Sequence, residues 1–198
     1  MVQELLAQLF DNVNGNEDIK LEEMPEYRLY ISQLEEFFDK KLGKGIGDEE
    51  ERKAISKTMI QNYIKDGMLM PPEGKCYNRS HVILLILIYT LKSILSIKDI
   101  KRLLSPILTD INKEDSSSEI ELIYETYLSL KEDALDDLND TLKERVYKVM
   151  EQPGLEGKSS EEMEKLRLLL LISTLVSEAN IRKKIAETLI EKYFTLEE

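Results

Sequence analysis

Apolar residues at positions 31, 34, 37, 38 and 42 recur at helical spacing and predict a helix over 29–42. Ahead of it, residues 1–11 carry the pattern of a short amphipathic helix, and 12–28, with Asn14-Gly15 and Pro25, that of a polar connection. The segment GKGIGDEEER (43–52) then sets three glycines close together before four consecutive acids, which predicts a loop or the start of a helix. A helix over 57–66 follows, with Ser56 as its N-cap. At about 100° per residue its positions split cleanly. Lys57, Thr58, Gln61, Asn62 and Lys65 share one side, while Met59, Ile60, Tyr63 and Ile64 share the other.

Gly67 is placed to end this helix as its C′ residue. Pro71-Pro72 and Gly74 impose an extended segment and a turn, so KCYNRS returns the chain as a short hairpin or wing. Residues 80–94 predict a core helix, and SIKDIKRLL begins another, with Ser96 as N-cap and Asp99 in its first turn. From Ser116 onward the pattern is helix after helix, with serines and early glutamates opening SSSEIELIYETYLSLKED and, past Pro153-Gly154, SSEEMEKLRLLLLISTLV. From Asn180 to Phe194, residues Ile181, Ile185, Leu189, Ile190 and Phe194 form one stripe. The apolar runs 82–91 and 166–176 are well short of the roughly 20 residues that span a bilayer, so no membrane segment is expected.

Charge sharpens this organisation. The chain has 198 residues and a net charge of −12, yet the split is uneven: −8 over 1–52, +6 over 53–105 and −10 over 106–198. A basic island between acidic flanks suits a polyanion, because lysine and arginine displace counterions from phosphates. Scarce glycine (8) and proline (5) favour a mostly α class. One cysteine, Cys76, allows no internal disulfide, and the N-terminus has no secretory pattern, so a cytoplasmic location is expected.

Enzymatic chemistry finds little support. Lys44 among its glycines lacks the spacing and the Ser/Thr of a phosphate loop, and Asp48 to Glu51 would repel phosphate. His81 and Cys76 lie close, but no motif supplies a third group, and a lone histidine entering a core helix reads as a cap or packing residue. Asp136-Asp137 and Glu161-Glu162 have no metal-ligand spacing. Neither a catalytic group, a cofactor nor a metal is expected.

Helix, connection, helix, wing, helix, helix, with a basic second helix, is the order of a winged helix-turn-helix, whose second helix enters the major groove. TMIQNYIKDGMLMPPEGKCYNRSHVILLILIYTLKSILSIKDIKRLL resembles the DNA-binding domain of MerR-type transcriptional regulators. Tyr63, Gly67, Leu69 and Pro71-Pro72 are similar to that family's signature at the end of its recognition helix. Tyr77, Val82, Leu91-Lys92, Ser96, Ile97, Ile100 and Leu103-Leu104 follow its wing and next two helices. The whole chain is also similar to an uncharacterised Firmicutes family, domain of unknown function 1836, in its run from Thr58 through Ile97. Where MerR-type proteins commonly have Arg-Tyr-Tyr, this chain has Gln61-Asn62-Tyr63, and its wing is less basic.

The resemblance implies a MerR-like winged helix-turn-helix domain with a small β wing over 1–110, and an all-helical region over 111–198. Its partners would be double-stranded DNA and a second copy, the homodimer forming through the C-terminal half. On the helical wheel and by charge, Lys57, Lys65, Lys75 and Arg79 are candidates for phosphate neutralisation, and Tyr63 and Tyr77 for positioning the backbone through their hydroxyls. Thr58, Gln61 and Asn62 would face base edges. The rival expectation is a protein-interaction adaptor that keeps the winged shape without DNA affinity.

Overall fold

The computed structural model describes residues 18–42, 54–110, 116–151 and 159–194. The expected helix over 1–11, the glycine-acid segment 43–52 and the Pro153-Gly154 break lie outside the described residues. Along the described chain run β1 (Leu29–Tyr30), α1 (Ile31–Leu42), α2 (Lys57–Lys65), β2 (Cys76–Tyr77), α3 (Arg79–Leu91), α4 (Ile97–Asp110), α5 (Ser116–Met150) and α6 (Ser160–Tyr193). The protein is mostly helical, with one small antiparallel sheet in which Leu29 pairs with Tyr77 and Tyr30 with Cys76.

The start of the chain departs from the sequence pattern at two points. The described part of the expected polar connection buries Ile19 and Met24 around a 3-10 turn at Leu21–Glu23. Two isolated apolar residues make no period, so nothing in the pattern marked them. The helix expected from residue 29 begins at Ile31, because Leu29 and Tyr30 are drawn into the sheet. The Gln33 side chain accepts from Tyr30 N–H at 2.9 Å, satisfying a donor where strand turns into helix.

Both ends of α2 are closed. Ser56 Oγ accepts from Met59 N–H at 3.3 Å, the expected N-cap. Glu35 of α1, only 9% exposed, accepts from Lys57 N–H at 3.3 Å, placing a carboxylate at the positive end of the helix. At the other end Gly67 has φ +70°, Gly67 N–H donates to Ile64 O at 3.1 Å, and Met68 N–H donates to Tyr63 O at 2.8 Å. That pair of bonds is the Schellman motif, and Met68, the residue after Gly67, is buried.

α3 is the central helix. Ser80 through Ile86 and Ile88 are all buried, so apolar surface on every side must be covered by neighbours. α4 begins as expected, with Asp99 N–H donating to Ser96 Oγ at 3.2 Å and Ser96 Oγ–H to Asp99 Oδ2 at 2.6 Å. Lys92 Nζ lies 4.7 Å over the Tyr89 ring and reaches Ala54 O at 3.5 Å, and burial holds its pKa below the usual lysine value.

The chain divides into two compact units, Ile19–Thr126 with Ala186–Glu198, and Met1–Asp18 with Tyr127–Ile185. The first holds the core just described, its buried Tyr124 donating to Ile19 O at 2.7 Å. The second contains a small cluster of Leu142, Val146, Val149 and Leu171, with Met150 and Leu175 against it. Glu162 accepts from Ser159 N–H and Oγ–H, closing the capping box predicted at the start of α6. α6 then continues without a break through Asn180. Among the described residues no helix is long and apolar enough to cross a membrane.

Replacing Gly67 tests the closure of α2. An added Cβ would sit 3.8 Å from Lys101 Cε, an ordinary contact, so any penalty comes from the left-handed backbone. Gly67→Ala is expected to lower unfolding stability in urea by about 1 kcal/mol. Gly67→Asn, which tolerates that conformation better, should lose less.

Candidate nucleic-acid interface

The exposed side of α2 is the one the wheel predicted. Lys57, Thr58, Gln61, Asn62 and Lys65 are all exposed, whereas Ile60 and Tyr63 are buried and Met59 and Ile64 half-buried. The donors lie on two successive turns of one face, with Asp66 the first acid, at the C-cap. Such a row of amides, a hydroxyl and two ammonium groups offers bidentate hydrogen bonding flanked by positive charge.

The segment expected as a wing is a two-residue hairpin. Glu73 and Cys76 exchange two backbone hydrogen bonds of 3.0 Å each, and the residues between them, Gly74 (φ 57°) and Lys75 (φ 72°), both occupy the left-handed region. Positive φ at both central positions is the type I′ turn, which fits the twist of a hairpin. It leaves Lys75 exposed at the tip, at a local cost of roughly 1–2 kcal/mol for a residue with a Cβ.

The four candidate cations differ in their surroundings. Lys65 and Lys75 are exposed and make no ion pair among the described residues. Lys57 Nζ stands 3.6 Å from Glu35 Oε2, and half-buried Arg79 stands 3.6 Å from Glu121 Oε1. Both of these charges are shared with an internal carboxylate.

Tyr63 and Tyr77 fall below the surface, at 7% and 4% exposure. Burial raises both phenol pKa values, and their rings serve packing. For Tyr63 the wheel already marked the apolar side. Tyr77 is buried because Leu29 faces it across the sheet, a pairing between residues far apart in sequence.

That pairing also brings up residues that sequence reasoning missed. Tyr30, 58% exposed, lies beside Cys76 in the sheet, and exposed Arg28 bonds Glu73 of the turn at 2.7 Å. Lys101 of α4 lies beside Gly67, at the C-terminal end of α2. No local pattern announces any of the three, since each is placed by a contact across the fold.

His81 ties the segment before the hairpin to the start of α3. Asn78 Oδ1 accepts from His81 N–H at 3.2 Å, and His81 Nδ1 accepts from Asn78 N–H at 3.1 Å, a capping box with histidine in the usual Glu/Gln position. Nε2–H is then free to donate to Pro71 O at 3.3 Å, and the ring meets Tyr77 edge-on at 5.2 Å. The expectation of a cap and packing residue is met. Burial depresses its pKa below the ordinary value, outweighing the Pro71 carbonyl and the charge of Glu73, which act the other way.

These elements define a class first: a mostly helical domain whose capped, polar-faced helix is followed along the chain by a short hairpin. The family model for a domain of unknown function (DUF1836) matches residues 19–127, and the chain belongs to that family. The match nearly coincides with the Ile19–Thr126 segment of the first compact unit, and it contains all nine candidate residues. No curated protein and no solved structure matches the chain.

The histidine predicts a pH effect of definite sign. With a folded pKa below the ordinary 6.5, the unfolded chain binds the proton more tightly. Stability is therefore full above about pH 6.5, falls as pH drops from there toward the folded pKa, and levels off below it. His81→Gln keeps a capping side chain and should abolish that step in denaturation midpoints measured from pH 8 to 5.

Proposed function

We propose that this protein is a DNA-binding transcriptional regulator of the MerR-like winged helix-turn-helix class. The observation that carries the reading is the face of α2: five exposed donor-bearing side chains without an acid, on a helix fixed at both ends. A hairpin with Lys75 at its tip supports it, because a wing next to a recognition helix reaches the adjacent phosphates. In this reading α2 lies in the major groove. Gln61 and Asn62 meet base edges, adenine being the base whose N6 and N7 suit a side-chain amide.

Lys65 and Lys75 are the primary phosphate contacts, with Lys101, near Gly67, a further candidate. Lys57 and Arg79 join only to the extent that they exchange Glu35 and Glu121 for phosphate oxygens. Tyr63 and Tyr77 support the site from beneath. Tyr30, exposed next to the hairpin, adds an aromatic hydroxyl at its base.

A second reading, the interaction adaptor, is favoured by one specific observation. Two of the four predicted cations are already paired with Glu35 and Glu121, and Arg28 with Glu73, which lowers the positive field that duplex DNA would meet. Salt dependence separates the two.

Fluorescence anisotropy against duplex fragments over a salt series is the test. Binding should weaken with log salt at a slope of about −0.9 per phosphate neutralised, and Lys65→Ala with Lys75→Ala should flatten that slope by roughly 2. Gln61→Ala should cost about 1–3 kcal/mol on a preferred sequence and little elsewhere. Absence of binding at low salt, or an unchanged slope in the double variant, overturns the DNA reading and favours the adaptor.

A further inference from the structure

The candidate cations are of two kinds. Lys65 and Lys75 are exposed and make no ion pair among the described residues. Lys57 and Arg79 each face a carboxylate carried by another element, Glu35 of α1 for the first and Glu121 of α5 for the second, at 3.6 Å in both cases. Both pairs lie within one compact unit.

Burial makes these pairs harder to break than an ordinary surface pair. The side chains of Glu35 and Glu121 are 12% and 31% exposed, against 59% for each member of the Arg28–Glu73 pair. Less water and salt around a carboxylate means less screening, so its hold on the cation persists where a surface pair has dissolved. Glu35 also accepts from Lys57 N–H at 3.3 Å, which keeps it beside the ammonium group.

A cation held in this way does not contribute to duplex binding as a free one does. When a free lysine meets a phosphate, a condensed counterion is released, and that release drives sequence-independent binding. When Lys57 or Arg79 leaves its carboxylate for a phosphate, the vacated carboxylate draws a cation back from solution. The two exchanges oppose each other, and little net release remains. Carboxylate and phosphate therefore compete for the same two side chains.

We infer that Glu35 and Glu121 form a built-in autoinhibitory contact, each standing in for a phosphate oxygen and holding Lys57 and Arg79 out of duplex binding. The inference rests on the DNA reading and adds its regulation. Lys65 and Lys75 supply the salt-sensitive attraction, and two carboxylates that do not themselves touch the nucleic acid set its strength.

Fluorescence anisotropy of the full chain with a duplex fragment, over a salt series, is the test. Glu35→Gln and Glu121→Gln remove the charge but keep the size, and at position 35 they leave an oxygen to accept from Lys57 N–H. Each is expected to tighten binding about twofold to fivefold at low salt. Each should also steepen the dependence on log salt by about 0.9. Lys57→Ala should leave the slope of the wild-type chain nearly unchanged and flatten that of the Glu35→Gln chain by about 0.9. Arg79→Ala should behave in the same way with Glu121→Gln. A change in packing alone does not produce that dependence on background. Far-ultraviolet helicity checks that every chain is folded, and if Glu35→Gln is not, the Glu121 pair decides the question.

A slope unmoved by either glutamine overturns the inference. So does a Lys57→Ala or Arg79→Ala effect of the same size in both backgrounds. If Lys65→Ala with Lys75→Ala still flattens the slope in those cases, the DNA reading stands without the autoinhibitory contact. Absence of binding by every chain at low salt removes the DNA reading, and the inference with it.

Discussion

The carboxylate of Glu35 sets the geometry on which the candidate surface depends. It is carried by α1 and largely removed from water, and it meets both the backbone and the ammonium group of Lys57. A buried carboxylate is unfavourable unless its charge and lone pairs are satisfied, and the first turn of a helix satisfies both. The contact therefore ties the start of α2 to α1. With the Schellman closure at Gly67 fixing the other end, the helix has little freedom to roll. Its donor face is exposed because its apolar face is held.

α3 imposes the second constraint. Apolar on every side, it must be wrapped, and the strand Cys76–Tyr77 is one of the elements packed against it. His81, buried at its first turn, links the helix start to the Pro71 carbonyl, so the segment leading into the hairpin is tied to the core. The hairpin then closes with two left-handed residues, and the position of Lys75 follows from backbone geometry. The same packing that presents Lys65 and Lys75 keeps Lys57 and Arg79 against carboxylates. Part of the basic island seen in the sequence is thus spent inside the fold.

What could be read in the sequence was what local chemistry decides. Ser56, Gly67, Ser96 and Ser159 marked helix ends correctly, because caps act within four residues. The two-sided pattern of α2 gave the right exposed face. β1 was not legible: a strand of two residues has no alternation to detect, and the partner of Leu29 lies 48 positions away at Tyr77. The ion pairs of Glu35 with Lys57 and Arg79 with Glu121 were hidden for the same reason. The stripe from Asn180 onward looked like a separate stretch, yet no Gly or Pro interrupts α6, and it runs on as one helix. Tyr63 lay on the apolar side of the wheel, and its burial was available to sequence reasoning. Tyr77 required knowledge of the sheet.

The central claim is that the outer face of α2, with the tip of the hairpin, meets duplex DNA. A titration of the isotopically labelled chain with a short duplex, followed by amide chemical shifts, tests it residue by residue. The account predicts that the largest shifts fall on Thr58, Gln61, Asn62, Lys65 and Lys75, with residues 160–194 unmoved. Shifts concentrated elsewhere, or none at low salt, would contradict it.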